Sequence, residues 1–418
     1  MQGARKVSKP GRGAREPPSL SARDDANFRN EMGHRPGDDS MHSLADDPSV
    51  VQRILDHIDE RTTDRGAEVW HEAVENYRSE ARFTAEVAQV LRHTPTPFCP
   101  SAALPDAGSY VARNAAGVPL IAVRDPDGVA RVFRNACRHR GMQLADGTGC
   151  KRVLVCPYHA WTYDLDGHLR GVPHEDGFPG LDKRSHGLVA VASFEDQGLV
   201  WVTQEGPAPA KSPWAELEGL VTSAQRLVGT SEQELAANWK IVAEGFLEGY
   251  HLQALHGDTF FPIQFDNLNV IEQFGPNSRV TFPYRRVNRL RDVQSQDRSA
   301  DGVLTYVYHL FPNVMLVTFS KNTTMIVIEP LALDRTRLVN YTLTHRDPSK
   351  GADREALDRD LRFIEAGTLQ DREAAVAIQR SLASGANETF QFGLFESAIV
   401  HFHRTLYGVI DGPGAPAR

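Results

Sequence analysis

The chain has 418 residues, 41% hydrophobic, 24% charged and 8% aromatic, with a formal net charge of −8. This composition excludes a fibrous or wholly disordered chain, and the length predicts two or three domains. The acidic balance argues against a nucleic-acid or anionic-membrane surface, where Lys and Arg would have to dominate one face, and no stretch approaches the ~20 apolar residues of a bilayer-spanning helix. Four cysteines, Cys99, Cys137, Cys150 and Cys156, are too few to staple a chain of this length, so a reducing, cytoplasmic home is expected.

Residues 1–48 begin with Arg5, Lys6, Lys9, Arg12 and Arg15, but no apolar core follows as a secretory signal requires. Asp24, Asp25 and Glu31 then break the acid-poor pattern of a transit peptide, and the segment is expected to be a disordered tail. Over 49–97, Val51, Ile54, Leu55 and Ile58, then Val69, Val74, Val87, Val90 and Leu91, recur at helical intervals. Two or three amphipathic helices packing on the later domain of residues 211–412 are predicted there. The prolines Pro95, Pro97, Pro100 and Pro105 end that signal. Short β-like runs with Asp-Gly turns at 125–128 and 164–167 make 98–204 a small antiparallel β domain. Past a Gly/Pro/Ala linker at 206–210, helical patterning is read at 214–229 and 238–255. Strand-like runs fill 269–344, with 303–319 read as a pair of buried strands, and helices are expected at 353–384 and 395–409. Residues 211–412 thus form a second domain of strands followed by a long helix, and the fold class is α+β.

Two groups of residues carry chemistry. Cys137-Arg138-His139 and Cys156-Pro157-Tyr158-His159 each offer one thiolate and one imidazole from a short loop. Zinc sites usually pair Cys with Cys and His with His. Mixed pairs suit a Rieske [2Fe-2S] cluster, in which one iron takes two Cys and the other two His; a Cys2His2 zinc site is the competing reading. Cys99 and Cys150 fit no ligand position.

The second group is Asn238-Trp239-Lys240, Glu248, His251 and His256. Glu248 and His251, three apart, share a helix face. His251 and His256, five apart, stand ~140° apart on an ideal helix and reach one metal only if the helix ends or distorts between them, as Gly249 and Gly257 permit. On spacing alone, these histidines are more readily ordinary polar residues than metal ligands.

Over about 55–410 the chain resembles the ring-hydroxylating Rieske oxygenases. The resemblance rests on the Cys/His loops, of which the second reads Cys156-Pro157-Tyr158-His159-Ala160-Trp161 where the family usually has Gly before Trp, and on Asn238-Trp239-Lys240 followed by an acid, Tyr250-His251 and His256. It implies a Rieske β domain and a helix-grip catalytic domain. It also implies a mononuclear Fe(II) on His251, His256 and a late-helix carboxylate, for which Asp371 is the choice and Glu365 and Glu373 the local alternatives. Such a two-His-one-carboxylate set leaves open positions where O2 can bind. By the same resemblance Glu248 links His251 to His159 of a neighbouring subunit in a homotrimer, and Asn238 joins the catalytic residues. Glu at 248, rather than Asp, is similar to the branch that oxidises choline, carnitine and glycine betaine. No nucleotide-binding glycine loop is present, so NAD(P)H is expected to act through a partner, a flavin/iron-sulfur reductase or a ferredoxin, with a small organic substrate, aromatic or quaternary ammonium. A Rieske electron carrier without catalysis and a zinc-stabilised ligand-binding module are the alternatives. His401-Phe402-His403 is read as packing, because residues two apart on a helix diverge, and Phe311, Met315 and Phe319 are possible substrate contacts.

Overall fold

The computed structural model describes residues 44–207, 209–212 and 214–412. The expected tail therefore lies outside the described residues as far as 43, and its last part is already structured. Helix α1 (Asp47–Glu60) is capped by the Asp46 carboxylate, which accepts the Ser49 N–H at 3.0 Å. Val50, Val51, Ile54 and Leu55 form its buried stripe. Arg291 grips Asp59 at 2.8 Å and Tyr306 donates to Asp47 at 2.7 Å, so α1 lies on the second half of the chain.

The expected helices between 69 and 91 are only partly present. Trp70 opens a strand, β1 (Trp70–Ala73), paired antiparallel with β19 (Thr389–Phe392). A 3-10 turn and a short helix α2 (Glu80–Ala85), running into a π-helical turn at Glu86–Leu91, complete the segment. The strand escaped local reading because its partner is some three hundred residues away in sequence.

The next strands are β2 (Thr96–Pro100), β3 (Ser109–Ala115), β4 (Val118–Arg124), β5 (Ala130–Arg134), β6 (Gly147–Cys150), β7 (Leu154–Val155), β8 (Thr162–Tyr163), β9 (Leu169–Gly171), β10 (Ala190–Asp196) and β11 (Leu199–Thr203). Seven form one antiparallel sheet in the order β2-β11-β10-β5-β4-β3-β6, and β7-β8-β9 form a small sheet beside it. The helix expected at 214–229 is absent. A 3-10 turn at Ala215–Leu217 is followed by an edge strand, β12 (Arg226–Leu235), whose partner is the much later β18.

Helices α3 (Trp239–Glu244) and α4 (Leu252–Leu255) precede β13 (Val270–Phe274), β14 (Asn277–Pro283), β15 (Leu304–Leu310), β16 (Val314–Phe319), β17 (Asn322–Ala332) and β18 (Arg335–Thr344). With β12 these make a second seven-stranded antiparallel sheet, β12-β18-β17-β16-β15-β14-β13. The chain closes with α5 (Gly351–Ser381) and α6 (Ser397–Ile410). Strand alternation splits the core in two. Val280, Phe282, Val307, Met315 and Ile326 face α3, α5 and α6. Tyr306, Tyr308, Leu316 and Val327 face α1 and, through Phe98 and Trp201, the first sheet. Phe311 and Met315 are buried on the helix-facing side. Among the described residues no helix is long and apolar enough to cross a membrane.

A buried contact between an arginine and a carboxyl crosses between the sheets. Arg113 of β3 lies 3.7 Å from Glu329 of β17. Burial, opposed by Arg113 and by N–H groups of the β3–β4 turn, pushes the Glu329 carboxyl from the ordinary 4.5 up to about 7. A raised acid is neutral when folded and ionised when unfolded over that interval, so its contribution is complete below pH 4.5 and is lost as pH rises through 7. Glu329→Gln is expected to remove that dependence, gaining on the order of 3 kcal/mol at pH 8 relative to its effect at pH 4.5. Melting curves at both pH values check this; a parallel loss at both would show the carboxyl to be ionised throughout.

Candidate metal centres

Cys137 follows β5 and Cys156 follows β7, and the two loops are closed alike. In each, the cysteine N–H donates to the carbonyl five residues on, Met142 and Trp161 respectively, at 2.8 Å. The cysteine carbonyl accepts from the residue four on, Gly141 at 2.8 Å and Ala160 at 3.0 Å. Both thiols are buried, while His139 and His159 are half-buried with ring centroids 4.6 Å apart. Trp161 stacks on His139 at 5.0 Å and 8°, and the Tyr163 hydroxyl lies 3.2 Å from Cys137 Sγ. Burial holds His139 below its ordinary value, with His159 and Arg140 acting the same way, and its Nδ1 is buried without a partner. Two sulfur and two nitrogen donors suit two irons with different ligands. They do not gather at one point: among the described residues, only His251, His256 and Asp371 bring three or more such ligand atoms within 4.8 Å of one another. Zinc, which needs four ligands around one ion, fits poorly.

The matched loops explain one departure from the resembled pattern. Gly141 has φ +76° and Ala160, at the equivalent place, φ +57°. The methyl of Ala160 therefore sits on left-handed backbone, which costs an L-residue about 1 kcal/mol or more. Ala160→Gly is expected to raise stability by roughly 0.5–1 kcal/mol, since relief of strain exceeds the added freedom of the unfolded chain. Thermal melts of the full chain check it, and an unchanged or lower midpoint would show the loop to be unstrained.

The second centre forms where α4 is interrupted at both ends. His251 is its N-cap and His256 its C-cap, so two histidines five apart meet because the helix is only four residues long. Gly249 lets the preceding turn press on Asn269, whose side chain lies 2.6 Å from where a Cβ would stand. Asp371 projects from α5, with Oδ1 3.5 Å from His251 Nε2 and 2.9 Å from His256 Nε2. The far side of each ring is held. Glu248 Oε1 takes His251 Nδ1 while its Oε2 accepts the N–H groups of Tyr250 and His251. Gln370 Oε1 lies 2.9 Å from His256 Nδ1 and 2.7 Å from the Thr259 hydroxyl. Hydrogens on both Nδ1 atoms leave both Nε2 lone pairs facing a carboxylate oxygen. Three donors so aimed repel one another unless a cation or a proton lies between them, which is the arrangement of a divalent-metal site.

Sequence reading did not find Gln370 and Thr259, although they adjoin Asp371 and follow His256 by three. Glu365 instead pairs with Arg372 at 2.5 Å, and Glu373 is exposed. Asn238 is not brought to the triad. Its side chain caps α3 through the Lys240 N–H at 3.0 Å and donates to Leu333 O at 2.8 Å, which makes it a structural clamp. His401 and His403 also stay apart from the metal centres. His403 Nε2 lies 2.8 Å from Glu244 Oε1, which accepts from Tyr77 at 2.6 Å. Burial would lower His251, but Glu248 and Asp371 outweigh it and the net shift is upward. Glu396 is pushed up to about 7 by burial, with the charges of Glu248 and Glu244 adding to it.

Comparison with known proteins agrees with this geometry. Residues 94–195 match the Rieske [2Fe-2S] domain, and 223–412 match the ring hydroxylating alpha subunit catalytic domain. The carnitine monooxygenase oxygenase subunit of Escherichia coli (strain K12) is 26% identical over 367 residues, covering 81% of this chain and 93% of the relative. The glycine betaine monooxygenase oxygenase subunit of Chromohalobacter salexigens is 26% identical over 406 residues, covering 85% and 89%. A solved quaternary ammonium Rieske monooxygenase, described in connection with carnitine oxidation by gut microbiota and inter-subunit electron transfer, shares the fold with a TM-score of 0.70 at 21% identity, covering 89% of this chain and 100% of the other. With a cluster-binding module and an oxygenase catalytic module in one chain, this protein belongs to the Rieske non-haem iron oxygenases, as a terminal oxygenase subunit.

Proposed function

We propose that the protein is the oxygenase component of a quaternary ammonium monooxygenase. Cys137, His139, Cys156 and His159, in a domain of residues 98–204, would hold the [2Fe-2S] cluster. His251, His256 and Asp371, in a domain of 211–412, would hold Fe(II). The observation that carries the oxygenase reading is the convergence of two Nε2 atoms and one carboxylate oxygen, on a chain that also carries an electron-accepting module. Electrons would come from NAD(P)H through a partner reductase or ferredoxin, since the chain shows no glycine-rich dinucleotide loop. Bound iron supplies the site for O2 activation; one oxygen atom enters a C–H bond of the substrate and the other leaves as water, with two electrons and two protons consumed. Glu248 and Gln370 fix the ring orientations. The quaternary ammonium class is supported by the carnitine and glycine betaine relatives and by Glu at position 248.

A homotrimer is part of this reading. His159 is flanked by Tyr158, 54% exposed, and His251 by Tyr250, 60% exposed, so each centre opens on a large uncovered aromatic, as an inter-subunit electron path would use.

Anaerobic purification followed by iron and acid-labile sulfide analysis tests the two centres together. About three irons and two sulfides per chain, with the low average g of a His-ligated cluster after reduction, are expected. Two irons, not raised by added Fe(II), would leave an electron carrier as the better account.

A further inference from the structure

One inward face of α6 carries ionisable groups where a buried helix ordinarily carries apolar ones. The stripe runs from the N-cap Glu396 through His403 and Tyr407 to the C-cap Asp411, over ~22 Å at helical spacing. Asp411 is exposed, and Arg82, which meets it at 3.4 Å, lies over the Tyr407 ring at 4.6 Å. Tyr407 thus sits just beneath the surface. At the other end Glu396 stands beside the second metal centre, within reach of the charges of Glu248 and His251.

Two other segments join this stripe into a continuous row. The Tyr407 hydroxyl donates to Glu72 Oε1 at 2.9 Å. Glu72 Oε2 faces His403 Nδ1 at 3.6 Å, and that buried nitrogen has no hydrogen-bond partner among the described residues. On its other side, His403 Nε2 lies 2.8 Å from Glu244 Oε1, and Glu396 feels the charge of Glu244 as well. Lys240, buried beside Tyr77, is held by Glu86 at 2.9 Å and so neutralises neither Glu72 nor Glu244. Enclosing two carboxyl groups about one imidazole forfeits solvation that an apolar stripe would not need.

We propose that Tyr407, Glu72, His403 and Glu244 form a proton relay joining solvent, at the Arg82–Asp411 end of α6, to Glu396 at the edge of the iron centre. Glu72 gives a proton to His403 Nδ1 and is refilled through Tyr407. His403 releases a proton from Nε2 to Glu244, which passes one on to Glu396. One proton enters for each that leaves, so the charge of the row is unchanged. Two passages supply the two protons consumed in reducing oxygen, while the two electrons come from the cluster. The inference rests on the oxygenase reading above and is independent of the substrate class.

Proton exchange, read without turnover, tests it first. In the full-length protein with zinc in the second centre and histidine labelled with heavy nitrogen, NMR times the exchange of imidazole N–H with water, and His403→Gln assigns the His403 signal. His309 is the internal control, because it is as fully buried, at 0% exposure, and bonds only the carbonyl of Pro312 among the described residues. His403 is expected to exchange about tenfold or more faster than His309, and Tyr407→Phe to remove that difference. Exchange as slow as at His309, or unaffected by Tyr407→Phe, would overturn the relay.

Single turnover of the reduced, iron-loaded protein with carnitine or glycine betaine, in light and heavy water, gives the second readout. His403→Gln keeps a hydrogen-bonding side chain that takes up no proton, so product formation should slow about a hundredfold and the solvent isotope effect should rise. A wild-type rate and isotope effect, or loss of the third iron from the variant, would overturn the assignment, the latter making His403 a support of the centre. Tyr407→Phe, nearer the surface, carries the same readout where His403→Gln does not fold. Absence of turnover with both compounds would count against the quaternary ammonium class alone, and the exchange rates would still decide the relay.

Discussion

Asp371→Ala is expected to yield a folded, coloured protein with about two irons and two sulfides per chain in place of about three and two, and with no product formation. Asp371 Oδ1 is the atom common to both close contacts, and without it two imidazoles with ring centroids 5.0 Å apart are the donors of that set left among the described residues. The cluster loops lie on a separate sheet and share no hydrogen bond with Asp371 among the described residues, so the cluster signal should persist. Iron and sulfide assay with EPR of the reduced protein reads both centres in one sample. Retention of the third iron would shift the carboxylate ligand to another acid of α5, Glu365 or Glu373.

Glu248→Gln should keep both metals while turnover supported by the reductase falls roughly 10–100-fold. Glu248 bonds His251 through Oε1 and two backbone N–H groups through Oε2, so Gln preserves much of the local shape but removes the negative charge on the imidazole. Reduction of the cluster by its partner should be unaffected, and the loss should lie in reoxidation of the cluster in the presence of substrate and O2, measured by stopped-flow absorbance. Near-normal reoxidation would mean that Glu248 only orients His251 and carries no part of the path between centres.

Much of the chemistry was legible without coordinates. The Cys/His loops were readable because all their ligands lie within short spans whose turns are locally encoded, Gly141 and Ala160 marking the same place in each. Glu248, His251 and His256 were grouped by the family resemblance, since their spacing alone is that of ordinary polar helix residues. The long last helices followed from periodicity, and the buried pair of strands at 303–319 from an apolar run broken at His309, Pro312 and Asn313. Where local patterning misled, a distant partner decided: β1 and β12 are strands because β19 and β18 supply their hydrogen bonds.

Side-chain type and short-range spacing alone settled which residues have the right donor atoms and where the long last helices lie, because those properties are local. Only the tertiary structure decided that Asp371, more than a hundred residues after His256, turns its oxygen toward both rings, that Gln370 and Thr259 steady His256, and that Asn238 is used up as a helix cap. Each depends on a helix end or a helix face meeting a distant segment. Such meetings are set by the packing of α5 and α3 over one face of the second sheet, and a linear pattern carries no record of which face meets which.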